Sequence, residues 1–266
     1  MESKLRLILN DLKNSLDNID DKSIHRARDA MEKRVVKKRC FNKLKDIDKK
    51  FNVCKRVNVF LDLCGGPGQF ANYIHSTNFD CKGYGVTLRG KLDYNYNHEN
   101  FKKIYGYKNS GDIFDESVIL ELNLMCGKKC ELVVADGATD VRGNENDQEI
   151  LTLPLLAQEC KIILNSLKPG GDCVLKIFDT FHSETKILLK DFAANFEFCT
   201  VFKPLHSRAA NSERYLIGKN RLTERKEHKN FTLNTVKFAL KQKRALKKLL
   251  NILQNGTNVP KKFAAS

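Results

Sequence analysis

Val57-Asn58-Val59-Phe60-Leu61-Asp62-Leu63-Cys64-Gly65-Gly66-Pro67-Gly68 is the stretch that decides the fold. A short apolar run ends in a Gly/Pro cluster, the pattern of a buried strand stopped by a turn. Glycines in such a turn let the backbone approach a ligand closely. In open α/β sheets ligands bind beyond the carboxyl ends of the strands, where this loop falls. The spacing is not the Gly-x-Gly-x-x-Gly dinucleotide fingerprint. A phosphate cradle would need Lys-Ser/Thr after the last glycine, and Gln69-Phe70 stands there instead. The loop suits a ligand without phosphates; an ordinary tight turn is the alternative.

Outward from this strand the chain alternates. The pattern predicts a helix over 69–76, a strand near 82–87, a loop rich in Asn and Tyr over 90–100, and a short strand near 103–106. A helix over 116–126 leads to the apolar strand 131–135. A long helix over 147–167 stops at Lys168-Pro169-Gly170-Gly171. A strand over 172–178, a helix over 184–195 and strands near 197–203 and 214–219 follow. Apolar strands alternating with helices mean a mostly parallel sheet covered on both faces. The last two strands have no helix between them, so they pair antiparallel at one edge. Helical spacing also marks 3–20 and 28–51 ahead of the sheet, and a basic amphipathic helix over 231–253 behind it. The expected division is a basic helical arm over 1–55, a core over 56–220 and a basic helical tail over 221–266.

The 266 residues fit one domain with arms. No stretch reaches the roughly 18 apolar residues of a membrane span. The start, MESKLRLILNDLKN, is charged throughout and lacks the features of a signal peptide. The expectation is an intracellular protein with no membrane contact. The nine cysteines are odd in number and scattered, and Cys126 and Cys130 have no His or second pair nearby, so we expect reduced thiols and no metal. The net charge of +15 is unevenly spread: Lys/Arg against Asp/Glu is 17 to 9 over residues 1–60, 17 to 21 over 61–218, and 13 to 2 over 219–266. Basic ends on a near-neutral body point to a polyanion, nucleic acid first; two solvated basic helices are the alternative.

Charged residues gather at the predicted strand ends. Asp112, in Gly111-Asp112-Ile113, follows the third strand; it could accept a bond from an adenine amino group or serve as a helix N-cap. Asp136 directly follows the apolar run Leu132–Ala135, and Lys176 sits between apolar neighbours in DCVLKIF. Glu213 opens the strand ERYLIG, which brings it to the same edge if that strand runs antiparallel. A lysine inside an apolar strand is costly unless it is paired or loses its charge. A structural ion pair with Asp136 or Glu213 would also explain it.

These residues resemble the FtsJ/RrmJ-type RNA ribose 2′-O-methyltransferases, in the segments RCFNKLKDIDKKF, VVADGATD, GGDCVLKIFDT and SRAANSERYLIGK, over about residues 28–220. The resemblance implies a Rossmann-like S-adenosylmethionine-dependent fold with a seven-stranded sheet. It also implies a catalytic Lys-Asp-Lys-Glu tetrad on Lys43, Asp136, Lys176 and Glu213, with Lys45 a rival for the first place. S-adenosyl-L-methionine would be held by Asp62, Cys64, Gly65, Gly66, Pro67, Gly68, Thr87, Asp112 and Asp136. GYGVTLRG, ADGATDVRGNENDQE and FKPLHSRAANSERY look like the branch acting on the first transcribed nucleotide of capped mRNA, in a compact, baculovirus-like form. Capped mRNA would then be the partner, held by Ser207, Arg208, Lys43 and the basic arms, in the nucleus of the host if the chain is viral. Tyr94, Tyr96, Phe101, Tyr105 and Tyr107 are candidate platforms for a flat cationic cap, or packing residues. Lys176 would face the 2′-hydroxyl, as a neutral base or as a charged steering group. Ribosomal or transfer RNA as substrate, and a non-catalytic RNA-binding subunit, are the competing readings.

Overall fold

The computed structural model describes residues 1–32, 37–141, 143–227 and 231–255. Three helices come first: α1 (Glu2–Asn14), α2 (Asp21–Glu32) and α3 (Arg39–Phe51). Then β1 (Val59–Leu63), α4 (Gln69–Thr77), β2 (Lys82–Val86), β3 (Phe101–Ile104), α5 (Glu116–Cys126) and β4 (Cys130–Ala135) follow. The chain continues through α6 (Gln148–Ser166), β5 (Leu167–Ile177), α7 (Ser183–Ala193), β6 (Phe196–Phe202), β7 (Arg214–Arg221) and α8 (Thr235–Gln254).

The seven strands make one sheet in the order β3-β2-β1-β4-β5-β7-β6. Pairings from β3 across to β5 are parallel, and β7 runs against both β5 and β6. The expected antiparallel edge is therefore the β6–β7 hairpin, with β7 one place in from the margin.

Strand alternation sorts the core. Leu61, Leu63, Val133, Ala135, Cys173 and Leu175 face α5, α6 and α7. Phe60, Leu132, Val134, Val174, Tyr215 and Ile217 face α3 and α4, meeting Leu44, Ile47, Phe70 and Ile74. The helices outside the sheet pack on one another: Leu5 and Leu9 of α1 and Ala27 of α2 share a cluster with Ala239, Leu246 and Leu249 of α8. Arg214 fastens that cluster to the sheet. Its buried guanidinium meets Asp179 at 2.7 Å, Lys13 of α1 reaches the other oxygen of Asp179 at 3.3 Å, and the ring of Phe238 lies 4.9 Å from the guanidinium.

Four boundaries differ from expectation, the first being the tail helix expected over 231–253, which begins only at Thr235. The helix expected over 3–20 ends at Asn14, where the backbone bonds tighten to i→i−3 turns (Leu16 N–H to Lys13, Asp17 N–H to Asn14), and the Asp20 carboxylate accepts the Ser23 N–H to start α2. The helix expected over 28–51 is two helices, α2 and α3; residues 33–36 between them lie outside the described residues. Strand β5 begins at Leu167 rather than after the Pro-Gly-Gly stop, and its register on β4 shifts between Cys130 and Leu132 to absorb those residues. Arg142 and residues 256–266 of the expected tail also lie outside the described residues.

Candidate active site

Period-two alternation carries the cluster. Residues 60, 132, 134, 174, 215 and 217 face α3 and α4. Continuing each strand by two residues puts Asp62, Asp136, Lys176 and Glu213 on that same face, at the end of the sheet. Helix α3 lies over it and contributes Lys43, one turn before the buried Ile47. Lys45 on the same helix is exposed, so it is Lys43 that joins the cluster.

Two ion pairs result. Lys43 Nζ is 2.8 Å from Glu213 Oε2, and Lys176 Nζ is 3.1 Å from Asp136 Oδ1. Lys176 Nζ also donates to the Asp136 carbonyl at 2.6 Å. Ser207 donates to the second oxygen of Glu213, and Tyr215 donates to Asp136 Oδ1 at 2.8 Å. Burial lowers the Lys176 pKa, but Asp136 and Glu213 outweigh it and hold the amine above its usual value. The resting site therefore contains an ammonium. Burial raises Glu213, yet Lys43, Lys176 and the hydrogen bonds to its carboxylate bring it below the ordinary range.

Several neighbours escaped the sequence reading. Tyr215 lies two residues beyond Glu213 and is the register partner of Lys176, so alternation could have found it. Lys203 donates to the carbonyls of Glu213 and Asn211 at 2.6 and 2.8 Å and clips the base of the loop carrying Ser207, Arg208 and Glu213. Burial lowers its pKa to about 7. Arg208 donates to His25 of α2 at 3.3 Å, and its charge, after burial, lowers the pKa of Arg28. Among the described residues, the buried Nε atoms of both arginines have no hydrogen bond. Crowded guanidinium groups with unused donors fit an anionic ligand.

The glycine loop lies alongside. Cys64 (φ 51°) and Gly68 (φ 101°) turn the chain from β1 into α4, and the Gly66–Pro67 peptide is cis. A Cβ on Gly65 would fall 2.1 Å from the Asp62 carboxylate, so that carboxylate sits directly under the loop. Asp62 is fully buried and, among the described residues, neither oxygen has a hydrogen bond of normal geometry. Burial, then Asp136, push its pKa well above the carboxylate range. A buried acid so poorly satisfied among the described residues, with Asp136 beside it, suits a ligand that brings positive charge. Across the loop, Thr87 of the β2 end touches Gly111, and Asp112 follows. Asp112 Oδ1 accepts the Phe114 N–H at 2.9 Å, while Asp115 caps α5. Asp112 is thus not the helix cap, and among the described residues its Oδ2 has no hydrogen bond. The donor set fits S-adenosylmethionine: acids for its charge, a free carboxylate oxygen for its adenine, and no phosphate cradle.

Four of the five candidate platforms pack against their own chain. Tyr94, Tyr96 and Phe101 form an aromatic cluster, and Tyr105 lies 4.4 Å under Arg89; Tyr107 is exposed. All nine cysteines are unpaired and seven are buried. A basic cavity of about 840 Å³ between α7 and α8, walled by Lys186, Lys190, Lys237, Lys241 and Arg244, does not touch the cluster.

Comparison with known proteins gives the family. A family model described as FtsJ-like methyltransferase matches residues 36–221. The chain is 45% identical to the cap-specific mRNA (nucleoside-2′-O-)-methyltransferase of Autographa californica nuclear polyhedrosis virus, over 92% of this chain and 98% of that one. It is 37% identical to cap-specific mRNA (nucleoside-2′-O-)-methyltransferase 1 of Drosophila melanogaster, over 60% of this chain and 22% of that longer protein. Among solved structures, a ribosomal RNA methyltransferase of Plasmodium falciparum superposes with a TM-score of 0.51 at 22% identity, covering 70% of this chain and 98% of that one; it speaks to the fold alone. From the match over 36–221 and the whole-length viral relative, the chain belongs to the FtsJ-like methyltransferase family.

Proposed function

We propose that this protein is an S-adenosylmethionine-dependent cap-specific mRNA 2′-O-methyltransferase that methylates the ribose of the first transcribed nucleotide. The observation that carries the reading is the convergence of Lys43, Asp136, Lys176 and Glu213 on one sheet face beside the glycine loop. Whole-length similarity to the viral cap enzyme supports capped mRNA as the substrate.

Asp62, Cys64, Gly65, Gly66, Pro67, Gly68, Thr87, Asp112 and Asp136 would hold S-adenosylmethionine, which supplies an electrophilic methyl on a good leaving group. The protein's share of the chemistry is to aim and activate the hydroxyl. Lys176, charged at rest and tethered to Asp136 by two contacts, donates to the ribose oxygen and stabilises the negative charge that develops there. Asp136, fixed by Tyr215 and Lys176, is the nearby carboxylate that can relay the departing proton. Lys43 and Glu213 keep Lys176 in register, and Arg208 with Arg28 meets the phosphates. Orientation of this kind is worth up to about 7–11 kcal/mol. The basic helix α8 extends the polyanion surface beyond the site.

Matched transcripts with and without a cap test the reading. The expected product is 2′-O-methylation of the first nucleotide of capped RNA only. Equal modification of uncapped transcripts, ribosomal RNA or transfer RNA would overturn cap specificity.

A further inference from the structure

Glu159 of α6 is a carboxyl group in a place where packing asks for an apolar side chain. It is 1% exposed, beside the buried Cys160, Ile162 and Ile163. A leucine would fill the position without the desolvation cost of a buried acid. Its surroundings account for its presence. Glu159 Oε1 accepts the Gly137 N–H at 3.2 Å, and Cys64 of the glycine loop neighbours the same carboxyl. The contact with Gly137 is close: a Cβ there would lie 2.3 Å from Oε1.

The amide of Gly137 and the carbonyl of Asp136 belong to one peptide group. Its carbonyl accepts Lys176 Nζ at 2.6 Å, and its N–H donates to Glu159 at 3.2 Å. The peptide is gripped from both ends, by the cation on one side and the buried acid on the other. An acceptor on the N–H polarises the peptide and strengthens its carbonyl as an acceptor. The same grip fixes the plane from which the Asp136 side chain departs.

We infer that Glu159 is a positioning residue for the methyl-transfer site, holding Lys176 in place through the Asp136–Gly137 peptide. The inference rests on the assignment of Lys176 to the reacting hydroxyl. Burial raises the Glu159 pKa to about 8, and its neighbours Lys176, Asp136 and Cys64 face it from β5, the end of β4 and the glycine loop. Protonated or not, the carboxyl keeps an oxygen for the Gly137 N–H. The hydrogen bond, rather than the charge, is therefore what the site needs.

Steady-state transfer to a short capped RNA and calorimetric cofactor binding test this on the full chain. Glu159→Leu, which removes the acceptor, should lower kcat on the order of 10–100-fold, with KM for RNA and cofactor Kd within about threefold. Glu159→Gln, which keeps the acceptor oxygen, should restore kcat to within about threefold of wild type. Gly137→Ala, whose Cβ displaces the carboxyl, should reproduce the loss and serves as the removal arm should Glu159→Leu not fold. The inference is overturned if the removal arm keeps kcat within twofold of wild type, if Glu159→Gln is as impaired as that arm, or if cofactor affinity falls in step with kcat. Lys176→Ala runs alongside: activity retained there would sink the catalytic assignment itself, whereas its loss beside a normal Glu159→Leu would sink only the role of Glu159.

Discussion

Lys43 and Glu213 offer a direct test of whether the cluster serves chemistry or stability. Their charged atoms are 2.8 Å apart and the side chains are 8% and 10% exposed. At an effective dielectric of about 20, the attraction at that separation is about 6 kcal/mol before desolvation. Taking both ions out of water offsets most of this, so a matched apolar pair should be about as stable. Removing one partner alone strands the other, at about 3–5 kcal/mol for a fully buried charge. Ser207 and Lys176 remain beside a stranded Glu213, which puts Lys43→Met near the lower end, about 3 kcal/mol. Glu213→Met should cost about 2–3 kcal/mol, because Lys43 can swing its amine toward water. The double variant should return to within about 1 kcal/mol of wild type, a coupling of at least ~4 kcal/mol. Urea unfolding followed by circular dichroism measures all three, and methyl transfer is assayed on the same samples. The expected result is a double variant with recovered stability and no recovered activity. Additive single costs, within about 0.5 kcal/mol, would refute the buried-pair reasoning. Regained transfer in the double variant would refute the catalytic role.

Three further outcomes follow from particular contacts. Gly66→Ala places a Cβ 1.8 Å from the Leu92 carbonyl oxygen, so calorimetry should show cofactor affinity weakened at least about tenfold. Arg208→Ala should weaken binding of capped RNA and reduce the slope of log affinity against log salt by about one, with cofactor affinity unchanged. His75 is buried against Phe60 and His98 and burial lowers its pKa to about 4, so its stabilising contribution is complete above about pH 6.5 and lost as pH falls from there through 4. The lost amount is at most about 3 kcal/mol. His75→Phe should be the less acid-sensitive protein over that window, and an unchanged acid limb in thermal melts would contradict the assignment.

The parts of this site that the sequence revealed are those governed by strand periodicity. Asp136 and Lys176 lie in or just beyond apolar strands, so alternation and the carboxyl-end rule place them together. Glu213 came with them once β7 was read as antiparallel, and Tyr215 was within reach of the same argument. Lys43 depended on resemblance, because α3 carries several lysines and only burial separates Lys43 from Lys45. Glu159 and Lys203 were not legible. Each looks ordinary in its own element, and its meaning comes from a residue far along the chain: Gly137 for Glu159, and the Asn211–Glu213 segment for Lys203. The break between α2 and α3 was hidden for a related reason, since the helical spacing of 28–51 continues across it.

Single-turnover transfer of a labelled methyl group to a short capped RNA by Lys176→Ala, with cofactor affinity measured on the same protein, tests the central claim most directly. The account predicts a rate lowered by at least about 10³-fold and a cofactor Kd close to wild type. Transfer within about tenfold of wild type would contradict it, because the ammonium beside Asp136 would then be a structural pair and no part of the chemistry.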